Sequence, residues 1–279
     1  MTWFSFALAG ALCLALSRIV ARRLLREQGD PLMFTAVNDF VAGIIILPFI
    51  FSDIHLPVMG VTWVYFALTT VFAFLSDWFA FRALRHIDVS VYQIIDQLRQ
   101  PLLVVAGFTL FSEPITPIKV FGVLLITAGA TLAVLDPRRL RPDGGVTLAI
   151  LSMAFAAIAV VFVKFTIVDF SASAFASLEL LGISALCIVA ARCDHKRLLS
   201  EIRLSRWGLI AAGAFFGLSE VFDFTALQIG EVSRVVAVFQ LSVIFTVLGG
   251  ILILHERNRL TQKLIGTLLA VVGVFVLRI

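Results

Sequence analysis

The segment LSDWFAFRAL at residues 75–84 recurs as LSEVFDFTAL at residues 218–227, at an offset of 143 positions. Flanking polar residues keep the same offset, and the matched pairs are Asp88 with Glu231, Ser90 with Ser233, Gln97 with Gln240, and Glu113 with Glu256. Chance similarity between two apolar segments does not keep acidic, amide and hydroxyl residues in step over tens of positions. The chain therefore contains an internal repeat, whose two copies we place at residues 1–140 and 141–279.

The composition is that of an integral membrane protein. Of the 279 residues, 61% are apolar and 14% are charged, and the mean hydropathy is +1.06. A soluble domain carries roughly 25% charged residues, which excludes a cytoplasmic globular enzyme. A membrane-spanning helix needs about 20 apolar residues. Such runs occur at residues 2–21, 31–51, 61–83, 89–111, 117–135, 145–167, 173–191, 206–228, 233–254 and 263–278.

These ten spans divide into five for each copy of the repeat. Because five is an odd number, the second copy enters the membrane from the opposite face. The sequence therefore predicts an all-α integral membrane protein with ten transmembrane helices, arranged as two inverted five-helix repeats. Secondary transporters built in this way bind their substrates between the two halves, near the midplane of the bilayer.

In each copy a glutamate, Glu113 or Glu256, precedes a fifth span that carries two glycines seven residues apart. The glycines are Gly122 and Gly129 in the first copy and Gly266 and Gly273 in the second. This pattern resembles the EamA-type branch of the drug/metabolite transporter (DMT) superfamily over essentially the whole chain. The resemblance implies a secondary transporter whose central cavity is lined mainly by the first four helices of each repeat. Members of the superfamily move amino acids, nucleotide sugars, choline, vitamins and drugs, so the resemblance does not specify the substrate.

The basic residues predict an orientation in the membrane. Seventeen of the 22 Lys and Arg residues, Arg18 among them, lie in or beside the loops that join spans 1–2, 3–4, 5–6, 7–8 and 9–10. The positive-inside rule therefore places both termini outside the cytoplasm, in a multi-pass protein of the inner (plasma) membrane. The family resemblance instead implies cytoplasmic termini, and we follow the count.

Acidic residues inside the spans are candidates for the transport site, because a charge at mid-membrane costs roughly 2.5–3.5 kcal/mol on insertion scales. Asp77 and Glu220 are repeat mates in spans 3 and 8, and Asp223 lies one turn from Glu220. We expect Asp77, Asp96 and Glu220 to converge on one cavity between the halves, where burial and like-charge proximity favour protonation of at least one carboxylate near neutral pH. The alternative is that these acids hydrogen-bond structural groups within the helices.

The fourth span carries Tyr92, Asp96, Arg99 and Gln100 on one helical stripe. We interpret Tyr92, Asp96 and Gln97 as lining the transport path, with Arg99 as their counter-ion and Gln240 as the repeat mate of Gln97. The alternative is a structural network in which Asp96 pairs with Arg99. Pro101 is expected to interrupt the helix beside this site.

Other candidates are less specific. Asn38, Asp39 and Glu179 lie in the early parts of spans 2 and 7, where they line the cavity or else face water at the membrane interface. Trp78 and Phe81 either wall the cavity near Asp77 or pack between helices. The glycine faces of spans 5 and 10 are predicted to bury within the bundle or to form a dimer contact, so both a monomer and a homodimer are consistent with the sequence.

These features predict a secondary active transporter, an exporter or proton-coupled carrier, of a small polar zwitterionic or cationic metabolite such as an amino acid or amine. A flippase for a lipid-linked sugar is the first alternative and an intramembrane enzyme the second. The sequence contains no HExxH, GxSxG or GxxxxGK[ST] motif, so we expect no catalytic residues, metal or cofactor. The expected partners are the small-molecule substrate, the lipid bilayer and protons as coupling ion. Nucleic acid is not expected, because orientation accounts for the net charge of +4.

Overall fold

The computed structural model describes residues 2–25, 31–50, 55–58, 60–83, 86–87, 92, 95–96, 98–134, 144–192, 194, 206–252 and 260–278. This part of the chain contains helices and loops and no strand. The helices are α1 (Trp3–Leu25), α2 (Pro31–Ile50), α3 (Gly60–Ala83), α4 (Arg99–Phe111), α5 (Pro117–Val134), α6 (Gly144–Thr166), α7 (Ala172–Ala190), α8 (Arg206–Ile229), α9 (Val232–Phe239), α10 (Leu241–Leu252) and α11 (Leu260–Arg278).

Each predicted span contains a helix, and the fourth and ninth spans depart from a single continuous one. Five helices are long and apolar enough to cross a membrane by themselves, and five further apolar segments are shorter. The ninth span is divided at Gln240 into α9 and α10. In the fourth span the described residues Tyr92, Ile95 and Asp96 are helical, Leu98 forms a turn, and α4 begins at Arg99. Pro101 lies in the first turn of α4, where a missing N–H leaves no hydrogen bond unmade. The expected interruption therefore lies just before Pro101.

Contacts between equivalent helices establish the inverted arrangement of the two repeats. In the α2–α7 pair, Ser177 Oγ donates to Gly43 O at 2.8 Å and Ser184 Oγ donates to Ala36 O at 2.6 Å. The contact point therefore moves towards the start of α2 as it moves towards the end of α7. Because these helices are the second of each repeat and run antiparallel, the two repeats have opposite orientations, as predicted.

The fifth helices of the repeats, α5 and α11, also run antiparallel and pack through their glycines. A Cβ atom added at Gly129 would lie 2.5 Å from Ala270 N, and one at Gly273 would lie 2.8 Å from Ile126 N. Only a missing side chain allows this approach of the two backbones. The glycine faces are therefore buried within the protein, and the alternative of a dimer contact through these glycines was wrong.

The largest of the remaining contacts between the halves are made by two related pairs, α1 with α8 and α3 with α6. Ser17 Oγ on α1 donates to Ala212 O on α8 at 2.9 Å. In the α3–α6 pair, the Phe72 ring stacks between those of Phe155 and Phe162, at centroid distances of 5.9 and 5.7 Å. First-half helices thus pack mainly against second-half helices, so the space at the centre of the molecule is shared by both repeats.

Candidate functional site

Asp39 and Glu179 lie at the middle of the helices that carry them. Asp39 is the ninth of the 20 residues of α2, and Glu179 is the eighth of the 19 residues of α7. Both side chains are buried, with 3% and 6% of their surface exposed, and Asn38 Nδ2 donates to Asp39 Oδ1 at 3.2 Å. The interfacial alternative for Asn38, Asp39 and Glu179 was therefore wrong, because these side chains lie at mid-depth and are enclosed by protein.

Asp77 on α3 and Glu220 on α8 lie near this buried pair. The charge of Glu220 interacts with those of Asp77 and Asp223, and the charge of Asp39 interacts with those of Asp77 and Glu220. Protein surrounds Asp77, Glu220 and Asp223, yet each retains part of its solvent-accessible surface. The three carboxylates are therefore half-buried between helices of the two halves, where the sequence analysis predicts a cavity. Four helices from both repeats therefore bring five carboxylates to one region.

A basic residue that the sequence analysis assigned to the loops also belongs to this region. Arg18 lies within α1, seven residues before its end at Leu25. Its side chain is exposed although protein surrounds it, and its charge interacts with those of Asp96, Arg99 and Glu220. Arg18, which the orientation count placed beside the first loop, therefore lies inside the helix and near these carboxylates. Its position inside the apolar run 2–21 was the only signal in the sequence, and the loop arginines that follow obscured it.

The fourth span contributes a polar cluster beside these charges. Arg99 Nη2 lies 3.6 Å from Asp96 Oδ2, and about a fifth of each side chain is exposed. The Tyr92 hydroxyl is hydrogen-bonded to Ser152 Oγ on α6 at 2.9 Å, and Ser152 Oγ lies 3.4 Å from Ser76 Oγ on α3. The Asp96–Arg99 ion pair of the structural alternative therefore forms, and its partial exposure leaves it accessible from the cavity.

Gln100 has a different role from its neighbours on the predicted stripe. Its side chain is fully buried, and Nε2 donates to Val236 O on α9, the equivalent segment of the other repeat, at 3.3 Å. Gln240 is also buried and marks the break between α9 and α10. Gln100 therefore joins the fourth span to the ninth, and Gln240 lies at the break within the ninth span.

Three predicted site residues give less information. The Trp78 ring packs edge-on against Phe74 at 5.6 Å, and the guanidinium of Arg82 lies 4.7 Å from its centroid. These contacts are those of the packing alternative for Trp78. Gln97 and the side chain of Phe81 lie outside the described residues.

A second polar cluster, separate from the cavity, joins the halves where α4 ends. Glu113 Oε1 accepts a hydrogen bond from the backbone N of Val232, the first residue of α9, at 2.7 Å, and Glu113 Oε2 accepts one from Ser233 Oγ. Lys119 Nζ lies 3.0 Å from Glu113 and 2.9 Å from Glu231. Glu113 thus pairs with a cation and caps a helix, whereas its repeat mate Glu256 lies outside the described residues.

Gly107 makes room for the Glu113 carboxylate. A Cβ atom added at Gly107 would lie 2.5 Å from Glu113 Oε2. Nearby, Lys164 Nζ donates to Gly230 O at 2.7 Å and also to Leu227 O. Lys164 therefore caps the end of α8, and it does not act as a cation of the cavity.

In the described part of the chain, no group of three or more His, Cys, Asp or Glu side chains is arranged to hold a metal ion. The side chains that could contact a small molecule are therefore the carboxylates and arginines of the cavity, together with Tyr92 and Ser152.

Comparison with known proteins agrees with this architecture. The model of the EamA-like transporter family matches the chain twice, at residues 1–135 and 143–279. The chain belongs to the EamA-like transporter family. It is thus a multi-pass membrane protein with the ten-helix fold of that family, as the glutamate and glycine pattern predicted.

Two individual proteins are similar to this EamA-like chain. A protein of a Sinorhizobium species, described as an uncharacterized transporter in the cobO 3' region, is 33% identical over 120 residues, which cover 42% of this chain and 84% of that protein. A crystal structure of another protein aligns with a TM-score of 0.77 over 98% of this chain and 95% of the other, at 14% identity. At that identity the structural similarity shows the fold alone.

Proposed function

We propose that this EamA-like protein is a secondary active transporter, an exporter or proton-coupled carrier, of a small polar metabolite that is zwitterionic or cationic, such as an amino acid or an amine. The observation that carries the proposal is the excess of carboxylates around a cavity shared by both repeats. The five carboxylates are those of Asp39, Asp77, Glu179, Glu220 and Asp223. Since Arg99 is already paired with Asp96, Arg18 is the cation left near them among the described residues. A positively charged ammonium group and protons would compensate this charge, whereas a simple anion would add to it.

Alternating access around this site is supported by the different contacts at the two ends of the molecule. At the end where α3 begins, Thr62 Oγ1 donates to Asp169 Oδ2 at 2.7 Å, Ser171 N donates to His55 O at 3.0 Å, and Glu113 binds α9 across the halves. Towards the other end, Arg18 and Asp96 retain accessible surface. We infer a state that is closed at the first end and accessible from the second.

Transport by the purified protein in liposomes tests the proposal. An imposed pH gradient is expected to drive accumulation of a radiolabelled amino acid or amine, chosen by thermal-shift screening, because a carboxylate that binds a proton on one side releases it on the other. The ionisable groups that interact with these carboxylates are Arg18 and Arg99, beside Glu220, and Tyr92, beside Asp77. Collapse of the gradient with an ionophore should stop accumulation. Transport of anionic sugar phosphates in place of amino acids and amines would contradict the proposal.

The proposed orientation has its own test. Removing Arg18 from the loop count leaves the large excess of basic residues on the same side, so the positive-inside rule still favours an extracytoplasmic C-terminus in the plasma membrane. A fluorescent protein that folds only in the cytoplasm, fused to the C-terminus, should remain dark, while alkaline phosphatase at the same position should be active. Strong fluorescence of the first fusion would reverse the orientation.

A further inference from the structure

Arg18 is held on the side of α1 that faces the other repeat. Its neighbour Ser17 is buried and donates a hydrogen bond to Ala212 O on α8. A Cβ atom added at Gly10, two turns earlier, would lie 3.2 Å from Ser219 O of the same helix. The face of α1 that carries Ser17 and Gly10 is therefore fixed against α8, and the exposed side chain of Arg18 projects beside it.

The antiparallel packing of α1 and α8 directs Arg18 and Glu220 towards each other. Ser17 lies at the same height as Ala212, and Gly10 at the same height as Ser219. Glu220 is therefore at the height of the α1 residue that precedes Arg18 by about nine positions. Along the helix axis, Arg18 and Glu220 are thus separated by roughly 13 Å. Side chains lean towards the N-terminus of their own helix, so in an antiparallel pair these two lean into the interval that separates them. Their charges interact, yet no ion pair within 4.0 Å joins Arg18 to an acid among the described residues.

Three other cations of the described chain already have partners. Arg99 lies 3.6 Å from Asp96, Lys119 pairs with Glu113 and Glu231, and Lys164 binds backbone carbonyls. On the acidic side of the interval, Asp223 Oδ1 has no hydrogen-bond partner among the described residues. The interval thus has a free guanidinium at one end and carboxylate oxygens at the other.

We propose that Arg18 is the carboxylate-binding residue of the transport site, and that Glu220 and Asp223 bind the ammonium group of the same molecule. The inference rests on the proposed function and narrows its substrate class to zwitterions such as α-amino acids. A guanidinium binds a carboxylate through two parallel hydrogen bonds, and the weak hydration of Arg makes it suited to such a site. Opposite charges at the two ends would also fix the orientation of the bound molecule.

Ligand sets that differ in one charged group test this assignment. Binding of leucine, lysine and phenylalanine to the purified full-length protein is compared with binding of the decarboxylated amine and of the deaminated acid of each. The wild-type protein should prefer the amino acid over both analogues. Arg18→Gln should weaken amino-acid binding by about 10- to 100-fold, the range for loss of a charge-assisted hydrogen-bond pair, and change amine binding by less than about threefold. Arg18→Lys keeps the charge but loses the two parallel hydrogen bonds, so its affinity for the amino acid should lie between those of the wild type and Arg18→Gln.

Arg192→Gln is the matched control, because Arg192 is exposed in the turn after α7, outside the cavity. An equal effect of Arg18→Gln on amino acid and amine, or no effect on either, would overturn the inference. Wild-type preference for the amine would overturn it and leave the proposed function intact, whereas binding of none of the ligands would overturn the proposed function itself. If Arg18→Gln fails to fold, Arg18→Lys decides, since the assignment requires selective weakening of amino-acid binding in that variant too.

Discussion

The double variant Asp77→Asn, Glu220→Gln is expected to lose proton-driven transport almost completely, by about 100-fold or more in initial rate. The two carboxylates come from equivalent positions of the inverted repeats, and their charges interact with each other and with that of Asp39. Like charges at close range favour binding of a proton by one member of such a group. Amide side chains cannot carry that proton, so the cavity would lose the group that links proton movement to the change of state.

The loss should be specific to transport and should not reflect unfolding. Asn and Gln preserve the size and hydrogen bonding of the replaced side chains and remove a buried charge, which is costly in a membrane. The double variant should therefore melt at or above the wild-type temperature in detergent. Asp169→Asn is the matched control, because Asp169 accepts a hydrogen bond from Thr62 at the closed end and Asn keeps an accepting oxygen. Undiminished pH-dependent uptake by the double variant in proteoliposomes would refute the role of both carboxylates in proton coupling.

Replacing Glu113 has the opposite expected signature, a large loss of stability with little change in substrate affinity. Glu113→Gln leaves the buried Lys119 with Glu231 as its remaining acidic partner and replaces a charged cap of α9 by a neutral one. Removing one member of a buried ion pair typically costs about 3–5 kcal/mol. We expect a value near 3 kcal/mol, because Glu231 still compensates Lys119. Thermal unfolding of the purified protein measures the effect, and substrate affinity of the folded fraction should remain within about twofold.

A double-mutant cycle with Lys119→Met separates the ion pair from the helix cap. If the ion pair supplies most of the stabilisation, Glu113→Gln should lower the free energy of unfolding much less in the Lys119→Met background than in the wild type. The expected coupling energy between the two substitutions is about 1–3 kcal/mol. Full additivity would assign the stability to the hydrogen bonds that Glu113 accepts from Val232 and Ser233. An unchanged melting temperature for Glu113→Gln would contradict the structural role altogether.

Much of the fold was accessible from the sequence because the signals for it are local. The free energy of transfer into lipid depends on about 20 consecutive residues, so hydropathy identified the ten spans. The repeat of residues 75–84 at 218–227 supplied the inverted topology, since five spans per copy leave no other arrangement. The role of Glu113 could be predicted from its position at a helix end, but its partners Val232 and Ser233 lie about 120 residues away. Nothing in the local sequence identifies them.

The composition of the site depended on tertiary structure. Spans such as α2 and α8 are apolar around most of their circumference, so no amphipathic pattern indicates which face lines a cavity. Gln100 appeared on the same stripe as Asp96 and Arg99, yet it binds Val236 of the other repeat. Arg18 was counted beside a loop, yet it lies within α1 next to a face that packs against α8, where its charge interacts with those of Asp96 and Glu220. The sequence alone therefore determined which charges enter the membrane, whereas the packing of antiparallel helices from the two repeats decided which of those charges meet.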